Sequence, residues 1–587
     1  MKNALTIFTL LLCQWLFSQS LIPVKTIPVF EDGRKLSNPW SGGLNNPQFS
    51  NFDFNLDGKQ DLFVFDRDGE VPLVFLNSGD SNIVSFVYSP SYAKLFPPME
   101  RLALLRDYNC DGTPDLFTGA IAGLKLFKIQ RMSPGLQFTK IDSPVTYRFP
   151  GFPVNIYVAN DDIPAIEDID GDGDLDILTF SLFGQAVEYY RNKSKEETGG
   201  CDSLRFDFEE SCWGKFLEGG LTNSLALGAC KTDGPDRSGT GGAPRHAGST
   251  ISVFDDDNDG DVEVVLGDVS YNNLVYGKNG GDKNFAQIIS SDTSFPSYDR
   301  PFHMAVFPAS FFVDINNDNK RDFIATPNAI GGARNTNNVA LYLNKGSNNP
   351  VEFVYQSDTF LVGGMIDVGE ESHPVFVDLN QDTLMDLLVA NYGYFEESSG
   401  LLISKFTYYQ NIGNIDTPKF QLVTRNYMDF SALNIAGMYP AFGDLDSDGD
   451  QDMIMGTEDG RVHYFRNQPT GSEANFNALP ATYNLANILS GPNAKPFLYD
   501  LDNDGDIDML IGKQDGSISF YPNLGDSLTP VFNKDSLNSF LGNIQISNSL
   551  RVYGNAAPFV YKDLVSVIRV WFNVFNVYVL DVHKERL

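Results

Sequence analysis

Apolar runs four to six residues long recur along this chain, and eight of them follow directly on an acidic loop. Leu62-Phe-Val-Phe65, Glu263-Val-Val-Leu-Gly267 and Asp508-Met-Leu-Ile-Gly512 are examples. Their length and their β-branched and aromatic content predict strands rather than helices. Apolar runs also precede the loops, as in Pro374-Val-Phe-Val377, Pro440-Ala-Phe-Gly443 and Pro496-Phe-Leu-Tyr499. A third series follows them: Val187–Asn192, Leu341–Asn344, Tyr408–Asn411, Val462–Asn467 and Ser519–Asn523. The repeating unit is therefore strand, acidic loop, strand, turn, strand, turn, strand. That pattern predicts an all-β chain of four-stranded antiparallel sheets, and a radial array of such sheets is a β-propeller. From Asp53 to Asp500 is 447 residues in seven intervals, about 64 each, generous for one blade.

The loops carry the chemistry. Each reads D-x-[DN]-x-D-[GNT]-x-x-[DE], which places oxygen-bearing side chains at positions one, three, five and nine. The eight sets are Asp53, Asn55, Asp57 and Asp61; Asp107, Asn109, Asp111 and Asp115; Asp168, Asp170, Asp172 and Asp176; Asp255, Asp257, Asp259 and Glu263. They continue with Asp314, Asn316, Asp318 and Asp322; Asp378, Asn380, Asp382 and Asp386; Asp444, Asp446, Asp448 and Asp452; Asp500, Asp502, Asp504 and Asp508. Alternating acids wrap a hard cation such as Ca2+, position seven can add a backbone carbonyl, and glycine at position six permits the reversal. Three or four carboxylates within a few ångströms repel one another unless a cation offsets them. Loops starting at Asp168, Asp255, Asp444 and Asp500 have acids at all four positions, and the other four use Asn at position three. Asn319 and Thr383 stand where the turn glycine is expected, and β-branched Thr383 marks the loop at Asp378 as the weakest.

These loops and the strands around them resemble the FG-GAP and VCBS-type repeat families, over about residues 40–560. The resemblance implies a propeller of seven or eight blades with several calcium sites. It also implies an extracellular or cell-surface setting and a role in binding a protein or glycan; some such propellers are fused to enzymes. It does not fix a ligand, and no Arg-Gly-Asp occurs.

Three segments fall outside the rhythm. Lys2 and the apolar run Ala4–Phe17, closed by Ser18-Gln19-Ser20, read as a secretory signal peptide over residues 1–20. After it, no stretch is long and apolar enough to span a membrane. Within the propeller segment 21–560, the interval from Asp168 to Asp255 carries an insertion at about 195–250. It holds Cys201, Cys212 and Cys230 and the Arg245-His246 pair, whereas Cys110 sits inside the second loop. An oxidised compartment favours disulfides among these four, and three full pairings are open. Residues 561–587 form an atypical Val- and Phe-rich tail without an acidic cage, read as a truncated or frame-shifted repeat, with a closing strand for the ring as the other reading.

Charge narrows the function. With 76 acidic against 42 basic residues the formal net charge is −34, which excludes nucleic acid and anionic membrane as expected partners. Only five histidines occur, none in a zinc or nucleophile motif, so an enzyme is the lesser expectation. If it is one, a propeller-based polysaccharide lyase is the alternative to an adhesion module. Oligomeric state is left open.

Overall fold

In the computed structural model, residues 26–581 are described except 133–134, 143, 183, 220–221, 231–248, 305, 348–349, 470, 472, 477–483, 534–540, 542–543, 547–554, 562–563 and 570–576. The signal-peptide segment, the Arg245-His246 pair and part of the C-terminal tail thus lie outside the described residues. The chain is all-β, and each acidic loop joins the first two strands of an antiparallel sheet. Numbered in chain order, sheets 1 to 7 begin at Pro47, Ala103, Ala165, Ser249, Pro308, His373 and Met438. Sheets 1, 2, 4, 5 and 7 have four strands in sequence order. Sheets 3 and 6 have six, their four ordered strands being extended by Thr146–Phe149 and Phe152–Asn155 and by Val29–Glu31 and Arg34–Lys35. Sheet 8 begins at Lys495 and has three. A ninth, Ala556–Tyr561, Leu564–Arg569 and Val577–Asp581, takes up strands of the tail and has no acidic loop.

Burial explains how these sheets stack. Second strands such as Leu62–Asp66, Asp176–Phe180, Asp322–Pro327 and Asp508–Gly512 are buried at every position. A strand buried on both faces must lie between two layers, so its sheet is packed on both sides. Fourth strands such as Ile288–Asp292 are largely exposed. The apolar runs read as strands are therefore continuous rather than alternating because they sit deep in the stack.

Sheets 1 to 5 are neighbours in turn. Gln48 Oε1 accepts from the Ala103 amide at 2.9 Å, joining sheets 1 and 2. Arg106 Nε donates to the Ile166 carbonyl at 3.1 Å, joining 2 and 3, and Ile251 N to the Ile163 carbonyl at 2.8 Å, joining 3 and 4. Thr250 Oγ1 donates to Pro308 O at 2.8 Å between sheets 4 and 5. Thr326 Oγ1 then donates to Pro47 O at 3.0 Å, which brings sheet 5 back against sheet 1. A shared core containing Phe49, Leu104, Ile166 and Phe311 spans sheets 1, 2, 3 and 5. Sheets 6 to 9 pack in a second series through their first strands, 6 on 7, 7 on 8 and 8 on 9. Sheet 6 is extended at its outer edge by Val29–Glu31, which runs parallel to Phe420–Thr424.

Two disulfides lie on the described chain. Cys110–Cys201 ties the second acidic loop to the insertion across 91 residues, and Cys212–Cys230 closes a loop inside the insertion. No described helix is long and apolar enough to cross a membrane.

Candidate metal centre

All eight loops share one backbone course. Positions four and six have positive φ throughout, from Leu56 (62°) and Gly58 (83°) in loop 1 to Asn503 (61°) and Gly505 (100°) in loop 8. The position-six amide donates to the position-one carboxylate in every copy, for instance Gly112 N to Asp107 Oδ2 at 2.8 Å and Thr383 N to Asp378 Oδ2 at 2.8 Å. The position-seven amide donates to position five, as Lys59 N does to Asp57 Oδ1 at 2.9 Å. Asn319 (φ 62°) and Thr383 (φ 70°) take the left-handed conformation in place of glycine. This is cheap for Asn and strained for Thr, whose branched Cβ crowds the backbone there.

Position nine does something the spacing did not reveal. Its carboxylate turns inward, nearly inaccessible in all eight copies. In loop 8, Asp508 Oδ1 accepts the Asn523 amide at 2.8 Å and Oδ2 the Leu501 amide at 3.0 Å. Asp61, Asp176, Asp322 and Asp386 make the same pair of bonds, to Asn77 and Phe54, Asn192 and Ile169, Asn344 and Ile315, and Asn411 and Leu379. The residue thus staples the loop to the end of the third strand. The Asn it reaches carries the chain on: Asn523 Oδ1 accepts from Gly525 N at 3.0 Å and Val531 N at 2.8 Å, holding the next turn. Burial raises every one of these carboxyls, Asp61, Asp452 and Asp508 to about 6, Asp115 and Asp322 to about 7, Asp176 and Glu263 to about 8, and Asp386 also upward.

At positions one, three, five and seven the loops divide into two kinds. In loops 1, 5 and 6 the position-three amide donates to its own position-five carboxylate: Asn55 to Asp57 at 3.1 Å, Asn316 to Asp318 at 3.4 Å, Asn380 to Asp382 at 2.9 Å. Asn109 donates instead to Asp115, at 3.0 Å. These loops answer part of their charge internally. The four all-acid loops have no such donor, and a fifth acid stands at position seven: Asp174, Asp261, Asp450 and Asp506. Asp172 Oδ2, Asp174 Oδ1, Asp257 Oδ1, Asp261 Oδ1, Asp444 Oδ1, Asp446 Oδ1, Asp450 Oδ1 and Asp500 Oδ1 are buried without a hydrogen-bond partner. Burial, reinforced by the like charges of the same loop, pushes Asp174 up to about 7 and Asp261 to about 6. Groups that could jointly hold one ion include Asp168, Asp170 and Asp176; Asp170, Asp172 and Glu196; Asp255, Asp257 and Asp259; Asp256, Asp257 and Glu263; and Asp444, Asp446 and Asp448, so position nine joins such a group in loops 3 and 4. Position seven as a side-chain donor was legible in the sequence as an acid in four copies, but the cage pattern directs attention to its backbone carbonyl.

Cations of the chain already approach some loops. Arg191 pairs with Asp170; Lys278 lies 2.7 Å from Asp256 and Asp257; Arg466 is 2.6 Å from Asp446 and 3.1 Å from Asp448. Lys128 sits 3.0 Å from Asp111 and Lys320 3.2 Å from Asp318. Among the described residues no Lys or Arg pairs with loop 8. A metal ion would share or displace these groups in loops 2, 3, 4, 5 and 7, and would meet no such competitor in loops 1, 6 and 8 among the described residues. The donor set is all oxygen, the chemistry of a hard cation such as Ca2+.

No protein-family model matches the chain, and no curated protein matches it. Among solved structures it is similar to an Agrocybe aegerita lectin described as recognising non-reducing terminal N-acetylglucosamine. That match has 14% identity and a TM-score of 0.24, and covers 74% of this chain and 90% of the lectin. Another is Sqt1 of Saccharomyces cerevisiae, with 6% identity and a TM-score of 0.19, covering 85% of this chain and 95% of that one.

Proposed function

We propose that this chain is an extracellular, calcium-binding β-propeller protein of the FG-GAP and VCBS-like kind, acting as a module that binds a protein or glycan. The observation that carries the calcium part is the set of buried carboxylate oxygens without a hydrogen-bond partner which, among the eight loops, occur only in the four all-acid ones. Leaving such oxygens unpaired costs free energy that a bound hard cation removes. Loops 3, 4, 7 and 8 are the principal sites, with positions one, three, five and seven as ligands and position nine as the residue that fixes the loop. Loops 1, 2, 5 and 6 are weaker. The seam contacts support one ring of five blades, sheets 1 to 5, and a second group formed by sheets 6 to 9, in place of a single ring of seven or eight. Paired cysteines and the signal-like first 20 residues support an oxidising, extracellular address.

The test is calorimetric titration of the chelated protein with calcium, followed by thermal melting at constant ionic strength. At ten times its dissociation constant each site adds about 1.4 kcal/mol to stability, so several strong sites raise the melting point by many degrees. A melting curve unmoved by excess chelator would sink the reading. A glycan-array and matrix-protein screen of the loaded protein tests the binding role.

A further inference from the structure

Sheets 6 to 9 enclose a cavity of about 1140 Å3 on the side where their first strands lie, and its wall repeats. Proline stands at the same register in all four first strands: Pro374, Pro440, Pro496 and Pro558, paired with Val389, Met455, Ile511 and Val567 of the second strands. No such row exists in sheets 1 to 5, where the matching positions are Phe49, Ala103, Pro164, Ile251 and Ser310, a single proline among five. Each of these four strands is the edge of its sheet. Proline lacks an N–H, so a strand edge bearing it offers no donor at that rung and resists pairing with an added strand. Beside the prolines lie Phe376, Phe442, Phe497 and Phe559, of which Phe376 is 56% exposed and Phe559 43%. Large aromatic side chains left in contact with solvent inside a concave wall mark a binding surface rather than a packing one.

The two ends of the cavity differ. At one, the charge of Glu371 is already met: Tyr439 OH donates to it at 3.1 Å, Lys495 Nζ lies at 3.4 Å, and Asn555 Nδ2 donates at 3.4 Å. Those three partners come from sheets 7 and 8 and the entry to sheet 9, so this end is a structural clasp. His373 stands in the same row, its ring 5.7 Å from Tyr439, and burial keeps it neutral. At the other end, Asp448 and Asp450 of loop 7 line the wall. Loop 7 holds five carboxylates, Asp444, Asp446, Asp448, Asp450 and Asp452. Arg466 and one divalent cation together would still leave it net negative. No Lys or Arg is among the described residues lining the cavity.

We propose that this cavity binds an extended peptide segment carrying apolar side chains and a terminal Lys or Arg, the apolar side chains against the Pro–Phe rungs and the basic group at Asp448 and Asp450. The cavity slightly exceeds the usual range of small-ligand pockets, about 300–1,000 Å3, which suits a short stretch of chain. An acidic mouth beside an apolar wall selects a basic–apolar partner through charge complementarity. Without strand-edge donors, side-chain contact sets the affinity. The inference rests on the reading of the protein as a binding module, choosing peptide over glycan, and its acidic end shares Asp448 and Asp450 with the calcium site assigned to loop 7.

The test is fluorescence anisotropy on the full mature chain in calcium at physiological salt, with three labelled probes. One is a hexapeptide of alternating Phe and Leu flanked by Arg; the second has Glu in place of Arg; the third keeps Arg but has Ser in place of Phe and Leu. The first is expected to bind at least tenfold more tightly than either twin. Phe376→Ser and Phe559→Ser together should weaken it at least fivefold while the melting point stays put, because both rings are exposed. Asp450→Asn should narrow the gap between the Arg and Glu probes. Equal binding of the twins, full affinity in the double Phe variant, or no binding of the first probe overturns the proposal. Should a glycan or matrix protein then still bind in the general screen, the interaction-module reading survives and only the peptide site falls.

Discussion

A single carboxylate can serve a loop in two ways, and positions five and nine separate them. Asp504 is exposed and makes a local bond to the Asp506 amide at 3.2 Å, whereas Asp508 is buried and accepts two backbone amides from different segments. Asp508→Ala strands both amides and is expected to cost about 2–4 kcal/mol with or without calcium. Asp504→Ala should cost under about 1 kcal/mol in chelator, since its bond is short-range and solvated, and show its loss only when calcium is present. Denaturant melts of both variants with and without chelator decide it: a calcium-dependent loss for Asp508→Ala would make position nine chiefly a ligand. Thr383 makes a second test. It holds φ at 70°, a region where a non-glycine residue pays about 1–2 kcal/mol. Glycine removes that strain but gives back part of the gain through its greater unfolded-state entropy, so Thr383→Gly should stabilise by about 0.5–1 kcal/mol. A destabilised variant would mean that the threonine side chain does more than occupy the turn. Sequence alone marked Thr383 as the misfit, because the other copies supply the comparison. It did not show the two jobs of position five and position nine, since spacing reports which side chains alternate and not which way each one turns.

Neighbouring sheets meet where one second strand ends against the start of the next first strand, and a glycine stands at that point in several seams. A Cβ on Gly267 would collide with the Pro308 carbonyl, on Gly456 with the Ala494 carbonyl, and on Gly512 with the Ala556 carbonyl. The obstacle in each case is backbone, which cannot swing aside as a side chain would. Gly456→Ala is therefore expected to cost about 1–3 kcal/mol by overpacking and to loosen sheet 7 from sheet 8. Hydrogen exchange localised to Met438–Gly443 and Lys495–Tyr499, alongside a denaturant melt, measures it; an unchanged melt would show that the seam gives way easily. The strands and the unit of loop plus four strands were legible, because continuous apolar runs beside punctual acidic turns admit little else. The Asn closing each third-strand run, such as Asn192, Asn411 and Asn523, was visible as a repeat without a reason. Its reason is the chain of bonds from the position-nine carboxylate to the Asn amide and from the Asn side chain to the following turn. The pairing of Cys110 with Cys201 was not legible, since it depends on loop 2 lying beside the insertion that follows sheet 3.

At the scale of the whole molecule, the repeats look alike in sequence, so the return of sheet 5 onto sheet 1 could not be read from them; it rests on contacts between residues almost 300 positions apart. Where the two groups of sheets meet, acids gather away from the loops. Asp66 ends the second strand of sheet 1 and Asp68 follows it, and Asp367 and Glu370 precede sheet 6. Burial raises all four, Asp68 and Asp367 to about 7 and Glu370 to about 9, with the neighbouring carboxylates adding to the shift for Asp68 and Glu370. The basic groups nearby are committed elsewhere: Arg67 to Asp161 and the Asn328 carbonyl, Arg425 to Glu31 and the Asp367 carbonyl, Lys495 to Glu371. Unfolded, these acids titrate near pH 4. Between that value and their folded ones the native state holds more protons than the unfolded chain, so stability must fall as pH rises through the window. The fall is steepest from about pH 5 to 7, where Asp68, Asp367 and Glu370 all keep protons that the unfolded chain has lost, and it continues more gently to about pH 9 on Glu370. The position-nine carboxyls, raised to between about 6 and 8, add to the same fall, so its uppermost part belongs to Glu370. The melting point in excess calcium is expected to drop by several degrees from pH 6 to 9, and Glu370→Gln, which removes the charge and keeps the shape, should flatten the upper part of the decline. A melting point that rises across the same range would mean that these acids are ionised and paired in the folded protein, and that the junction between the two groups of sheets is held by charge rather than by protons.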